Sequence, residues 1–241
     1  MGRVAVVTGG TRGIGQAISV ALKRQGFRVA ANYAGNDTAA RQFQADSGIP
    51  IYKWDVADFA ASQAGVARIS QDLGAIDVLV NNAGITRDGV LHRMSKENWD
   101  AVLRTNLDSV FNMTRLVIEG MRSRGFGRII NISSINGRKG QAGQANYSAA
   151  KAGLLGFSKA VAQESAARGI TVNVIAPGYI GTEMVRAVPK EILDSKILPQ
   201  IPVGRLGTVE EIARCVTFLA ADEAGFITGA CLDANGGQYM A

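Results

Sequence analysis

The sequence predicts an α/β protein in which a doubly wound parallel sheet of about seven strands carries helices on both faces, all within a single domain spanning residues 1–241. Three observations predict it. Short, continuous apolar runs rich in valine and isoleucine recur along the chain, as strands buried on both faces of a parallel sheet require. Stretches with helical apolar spacing separate the runs, and these supply the crossovers that parallel strands need. Glycine and small polar residues follow several runs directly, at the sheet edge where such folds bind ligands. With 241 residues, 47% hydrophobic and 19% charged, the chain is long enough for one substantial core.

Val4-Ala5-Val6-Val7 opens the sheet and runs into Thr8-Gly9-Gly10-Thr11-Arg12-Gly13-Ile14-Gly15. Glycines 9, 13 and 15 permit a tight turn and close approach of a ligand, and the helix that follows, through Leu22, offers amides to a pyrophosphate. A strand before and an amphipathic helix after make this loop, with Thr11, Arg12 and Ile14, the dinucleotide site of a Rossmann fold. The spacing is Gly-x-x-x-Gly-x-Gly, not Gly-x-Gly-x-x-Gly. The second strand, residues 27–33, ends in Asn32 and Tyr33, where an NAD site places a carboxylate for the ribose 2′-hydroxyl. With no carboxylate there, Arg12 in the loop and Arg41 beyond, NADPH is expected over NADH. Arg41 also reads as a solvated residue on a helix face. The third strand, residues 51–56, ends with Asp55 and Val56; Asp55 either accepts from the adenine amino group or caps a helix.

The fourth strand, residues 76–80, ends in Asn81-Asn82-Ala83-Gly84, small enough to let a cofactor lie against the backbone. A long helical region starts at the N-cap candidate Ser95 and runs toward Met121. It contains Asn106, read either as a solvated or kink-forming residue or as an amide turned into the site to hold a water. Arg122, Arg124 and Arg128 near its end are either partners of the helix C-terminus or a docking patch for an acidic partner. The fifth strand, residues 129–134, delivers the Ser134 hydroxyl, and the glycine-rich polar loop 135–144 borders the substrate. Tyr147 and Lys151, four positions apart in an alanine-rich helix reaching about Arg168, leave the same face. An ammonium beside a phenol favours the phenolate, so the tyrosine is expected to titrate below its usual value of about 10 and to serve as general acid or base. The sixth strand, residues 170–176, ends at Pro177-Gly178-Tyr179, which turns the chain over the cofactor, with Ile180 next and Thr182 in reach of its carboxamide or phosphates. Residues 183–205, punctuated by Pro189, Pro199 and Pro202, read as a substrate lid. A helix from Val209 and a strand at 231–233 close the fold.

The bulk properties exclude several classes. The net charge of +6 comes from 26 scattered lysines and arginines without a run of five like charges, which suits anionic small ligands rather than nucleic acid. One histidine, His92, and two cysteines, Cys215 and Cys231, are too few and wrongly spaced for a zinc site or a redox pair, so no metal is expected and the thiols read as reduced. No run reaches about 18 apolar residues, and Met1-Gly2-Arg3 passes straight into a strand, so a cytoplasmic protein away from membranes is expected.

The segments Thr8 to Gly15, Asn81 to Gly84, Ser134 with Tyr147 and Lys151, and Pro177-Gly178 occur in an order that resembles the short-chain dehydrogenase/reductase family over essentially the whole chain. Within it, residues 131–137, residues 139–147 and Asn235-Gly236-Gly237 resemble the acetoacetyl-CoA reductases of polyhydroxybutyrate synthesis. Residues 169–174 and the C-terminal third also resemble the 3-oxoacyl-acyl-carrier-protein reductases of fatty acid synthesis. Gln141 and Gln144, with residues 177–184, favour the CoA branch. The resemblance implies hydride delivery from NADPH to the C3 ketone of acetoacetyl-CoA, giving (R)-3-hydroxybutyryl-CoA. It assigns Ser134 to the ketone oxygen, Tyr147 to proton donation, Lys151 to the tyrosine pKa and the nicotinamide ribose, and Asn106 to a water relaying protons to Lys151. Gln141, Gln144 and Tyr179 would position the substrate, and the family implies a homotetramer. Acyl carrier protein is a partner only on the second reading. A non-catalytic NADPH sensor is the remaining alternative, and the presence of all four catalytic residue types speaks against it.

Overall fold

The computed structural model describes residues 2–186 and 188–240. Valine and isoleucine runs become β1 (Val4–Val7), β2 (Arg28–Tyr33), β3 (Ile51–Lys53), β4 (Ile76–Asn81), β5 (Gly127–Ile132), β6 (Ile170–Pro177) and β7 (Cys231–Ala234). All pair in parallel in the order β3-β2-β1-β4-β5-β6-β7. Between them lie α1 (Gly13–Arg24), α2 (Asp37–Ser47), α3 (Phe59–Leu73), α4 (Lys96–Leu103), α5 (Ser109–Arg124), α6 (Ile135–Lys139) and α7 (Ala145–Ser165). After β6 come the short α8 (Glu183–Arg186) and α9 (Lys190–Ile192), then α10 (Val209–Ala220).

Alternation along β1 shows why both faces are covered. Ala5 and Val7 meet Ile18 and Leu22 of α1 and Val216 and Leu219 of α10, whereas Val4 and Val6 meet Ile69 of α3 and Met113, Val117 and Met121 of α5. The strand order reverses direction of travel between β1 and β4, and it is there that a doubly wound sheet opens a ligand crevice.

Several expected elements are altered. The third strand stops at Lys53 because Trp54 buries its ring and Asp55 begins a turn, its Oδ1 accepting from the Ala57 amide at 2.9 Å. Asp58, not Asp55, is the N-cap of α3, accepting from Ala61. The long helix begins as expected, with the Ser95 hydroxyl accepting from the Asn98 amide at 3.2 Å, but a π turn at Arg104–Asp108 divides it into α4 and α5. The expected lid at 183–205 is a string of short helical turns, α8 and α9 followed by further turns to Gln200; Ala187 of that segment lies outside the described residues.

Of the two readings of Arg122, Arg124 and Arg128, their partners favour bonding within the fold over a docking patch. Arg122 donates to the Glu164 carbonyl at 3.0 Å and Arg124 to the Ile76 carbonyl and the Asp77 carboxylate. Arg128 is only 4% exposed, donates to the carbonyls of Ala221 and Asp222, and lies 4.4 Å over the Phe126 ring. These groups close the amino edge of the sheet, opposite the ligand edge. Among the described residues no helix is long and apolar enough to cross a membrane.

A buried polar ladder ties the ligand edge together. Asn81 Nδ2 donates to Asn131 Oδ1 at 2.8 Å, and Asn131 Nδ2 donates to Ser158 Oγ of α7 at 2.8 Å. Asn131→Ala leaves both partners short of a hydrogen bond in the core and is expected to lower unfolding free energy by about 1–3 kcal/mol, read from urea denaturation. A variant as stable as the wild type would show that the ladder is dispensable.

Candidate active site

The turn from β1 into α1 needs its glycines for two different reasons. Gly9 and Gly13 have φ of 61° and 53°, where a side chain is strained. At Gly15 a Cβ would stand 2.1 Å from the Gly9 carbonyl oxygen and 2.6 Å from Asn82 Nδ2, so only glycine lets the helix rest on its own loop. Asn82 holds this loop from β4: its Nδ2 donates to the Thr8 and Gly9 carbonyls at 3.0 and 3.2 Å. In return Thr8 Oγ1 accepts from the Asn82 and Ala83 amides at 2.9 and 3.0 Å. Thr11 is buried, Ile14 is half-buried against the core, and Arg12 is exposed at the N-cap of α1. The first amides of α1, a loop without side-chain bulk and a flanking cation fit a dinucleotide pyrophosphate.

Four residues converge beyond β4. A Cβ on Gly84 would lie 2.6 Å from Asn106 Oδ1 and 3.5 Å from Lys151 Nζ, so its lack of a side chain leaves the floor of the crevice open beside both. Asn106 sits fully buried in the π turn and clamps Ile85, its Oδ1 accepting from the Ile85 amide and its Nδ2 donating to the Ile85 carbonyl, both at 2.8 Å. Its amide is therefore committed to the backbone, which corrects the expectation that this side chain turns into the site to hold a water. Lys151 is 4% exposed and donates to the Ile132 carbonyl at 2.8 Å; Tyr147, one turn earlier, has its ring centroid 5.7 Å from that ammonium. Ser134 caps α6, its Oγ accepting from the Asn136 amide at 3.1 Å, and its hydroxyl is hydrogen-bonded to the Tyr147 phenol.

The electrostatics reverse the expected order of effects. Burial pushes the Tyr147 phenol up from its usual value, Ser134 pulls it down and Asp88 adds to the rise. Burial also draws Lys151 down from 10.5 to about 8. The ammonium does not make Tyr147 acidic here. The site instead holds a phenol that stays protonated at neutral pH, with a hydroxyl donor and a buried cation beside it, an arrangement suited to giving a proton to a developing oxyanion.

Other expected residues lie around this centre in differing states. Asn32 is 2% exposed: its Nδ2 donates to the Trp54 carbonyl at 3.0 Å and its Oδ1 accepts from the Gly9 amide at 3.4 Å, so the side chain ties β2 to its neighbours instead of facing a ribose. Val56 packs its side chain into the core, and its carbonyl accepts from Asn112. Asp55 is exposed and caps its own turn. Tyr33 is half-buried at the end of β2 and Arg41 exposed in the second turn of α2, and the supposed absence of a carboxylate is corrected by Asp37, which hydrogen-bonds both Tyr33 and Lys53. Pro177 and Gly178 pack against the β7 end, where a Cβ on Gly178 would lie 2.8 Å from Asn235 Cα. Ile180 is buried and bridges to Gly207, while Thr182 reaches within 3.8 Å of the Cβ position of Gly13.

Of the expected substrate contacts, Gln141 is exposed on the loop before α7. Gln144 donates to Asp88 Oδ2 and accepts from Asn136 Nδ2, both at 2.9 Å, so its amide braces the N-terminus of α7. Tyr179 lines a cavity of about 260 Å³ with Ile201, Val203 and Asn235, and neither Tyr147 nor Ser134 lines it. Sequence reading gave no role to Asp88 and Lys53, which meet partners distant in the chain, nor to Asn136 and Asp37, whose contacts with Ser134 and Tyr33 are local but depend on the turns between them.

The family profile described as Enoyl-(Acyl carrier protein) reductase matches residues 9–238. The chain is similar to "Acetoacetyl-CoA reductase" of Rhizobium meliloti (strain 1021), 67% identical over 241 residues and covering 100% of both chains. It is 66% identical over 240 residues to "Acetoacetyl-CoA reductase" of Shinella zoogloeoides, again covering 100% of each. To the 3-oxoacyl-[acyl-carrier-protein] reductase of Escherichia coli (strain K12) it is 47% identical over 247 residues, with 99% of this chain and 98% of the other covered.

Burial of Lys151 has a stability consequence with a definite sign. Because its folded value of about 8 lies below the ordinary 10.5, folding disfavours the charged form by about 3 kcal/mol, fully below pH 8 and vanishing as pH rises toward 10.5. Lys151→Met is therefore expected to gain stability relative to wild type at pH 7 and to lose that advantage by pH 10, measured by urea denaturation at both. A difference independent of pH would contradict it.

Proposed function

This chain belongs to the short-chain dehydrogenase/reductase family of nicotinamide-dependent oxidoreductases, and on that premise we propose that it uses NADPH to reduce acetoacetyl-CoA to (R)-3-hydroxybutyryl-CoA for polyhydroxybutyrate synthesis. The observation that carries this reading is the full-length similarity to the acetoacetyl-CoA reductases of Rhizobium meliloti and Shinella zoogloeoides, well above that to the carrier-protein reductase of E. coli.

Bound NADPH supplies the hydride. The chain's own groups do the rest. The glycine turn and the N-terminus of α1 hold the pyrophosphate, and Asn82, Ala83 and Gly84 keep the crevice open. Ser134 donates to the ketone oxygen, a role open to it because its lone pair, not its proton, takes the Asn136 amide. Tyr147 passes its proton to that oxygen as charge develops, and the raised phenol pKa keeps the donor loaded at neutral pH. Lys151 then faces a phenolate; its charge, disfavoured by burial, becomes favourable as the counter-charge appears. Asn106 acts by positioning Ile85 and the π turn. Residues 183–205 cover the substrate, with Gln141 and Tyr179 at its approach.

Two surfaces support assembly into a homotetramer. Phe218 of α10 is 56% exposed and Leu232 of the edge strand β7 is 38% exposed, while Phe111 of α5 is 53% exposed on a different face. Light scattering is expected at four times 25.3 kDa, and a monomer or dimer mass would contradict it.

A second reading, 3-oxoacyl-acyl-carrier-protein reductase, is favoured by residues 169–174, the C-terminal third and the similarity to the E. coli enzyme. Initial rates with acetoacetyl-CoA and with acetoacetyl-acyl carrier protein separate the two. The expected outcome is a kcat/KM at least about tenfold higher on the CoA ester, and a preference for the carrier protein would move the enzyme to fatty acid elongation. Tyr147→Phe is expected to lower kcat by at least about a hundredfold with NADPH binding retained; wild-type turnover in that variant would remove the proton donor from the mechanism.

A further inference from the structure

At the far end of the crevice, away from Tyr147, cations and one carboxylate gather where β2 and β3 end. The two strands are in register with Tyr33 opposite Lys53, so their last side chains stand next to each other. Asn36 then takes a left-handed conformation, with φ of 46°, and caps α2 by accepting from the Ala39 amide at 3.1 Å. That turn brings Asp37, in the first turn of α2, back over the strand ends, and Arg41 follows it one helical turn later. Lys53 Nζ lies 2.9 Å from the Asp37 carboxylate, which also takes a hydrogen bond from Tyr33, and Arg41 is close enough to act on both charges.

This corner is half open, with the Lys53 and Asp37 side chains 52% and 40% exposed. Doubly wound folds bring the 2′ position of the adenosine ribose to the end of the second strand. A 2′-hydroxyl there would find a carboxylate to accept its proton. A 2′-phosphate, with close to two negative charges, would instead compete with that carboxylate for the ammonium. An ion pair this exposed adds little to stability, so exchanging its anion disturbs the fold little.

We propose that Lys53 selects for the 2′-phosphate and that Asp37 is its exchangeable internal counter-ion, released when the phosphate arrives. The proposal rests on the NADPH reading above and adds to it Lys53, which comes from the end of β3, outside both the glycine loop and α2. Asp37 weakens the preference it permits: it repels the phosphate and welcomes the hydroxyl, so the balance between the two cofactors is set by one carboxylate and one ammonium.

The test is calorimetric titration of the full chain, without turnover, using adenosine 2′,5′-bisphosphate and adenosine 5′-monophosphate as probes. Wild type is expected to prefer the bisphosphate. Lys53→Met is expected to weaken bisphosphate binding about tenfold and to leave the monophosphate unchanged, the latter also showing that the fold is intact. Asp37→Asn is expected to tighten bisphosphate binding severalfold. If wild type prefers the bisphosphate and Lys53→Met keeps that full preference, Lys53 is not the selector and Arg12 and Arg41 suffice. If wild type itself shows no preference, the NADPH reading falls, and the role of Lys53 with it.

Discussion

The reciprocal hydrogen bonds between Thr8 and Asn82 are what the rest of the ligand edge depends on. They join β1 to β4 at the one place where the winding of the sheet changes direction and neighbouring crossovers leave a gap. Thr8 serves as an acceptor for two amides, and Asn82 returns donors to two carbonyls. The glycine turn is thereby fixed on one side of the seam, and Gly84 on the other. From Gly84 the chain of contacts continues to Asn106 and Lys151, so the dinucleotide cradle and the proton-transfer groups share a single reference point.

Around that seam the fold accepts unfavourable terms that chemistry can use. Lys151 is an ammonium with one backbone carbonyl as its described hydrogen-bond partner in a nearly dry pocket, and Tyr147 is a phenol with its charged form disfavoured. Lys151 carries a charge that its burial disfavours, whereas Tyr147 is held by burial in the protonated form that a proton donor needs. The polar ladder of Asn81, Asn131 and Ser158, by contrast, is satisfied at both joints and anchors α7 from beneath, so the strain is confined to the groups that face the crevice.

Much of this was legible in the sequence because parallel strands buried on both faces leave unmistakable apolar runs, and β1 lies where its four residues predict. The glycine turn, Ser134, Tyr147 and Lys151 were legible because their work requires particular residue types at fixed local spacings. What escaped was decided by distance in space. Asn32 looked like a ribose contact because nothing local reveals that Trp54 and Gly9 would take up its amide. The reading that the end of β2 carries no carboxylate overlooked Asp37, which the left-handed turn at Asn36 brings back to Tyr33 and Lys53. Asn106 looked like a mid-helix asparagine because an α-periodic reading has no means of registering one residue too many in a turn.

That surplus residue has a consequence beyond the clamp on Ile85. A helix advances about 100° per residue, so the π turn acts as a phase shifter between two stripes written on one continuous rod. Upstream, α4 addresses α7; downstream, Met113, Val117 and Met121 of α5 address the sheet and α3. Excising one residue from 104–108 would let the turn close to α-helical pitch with both stripes still on their partners, but would remove the wide turn that seats Asn106 against Ile85. The residue that the core stripe can spare is thus the one that the floor of the crevice uses.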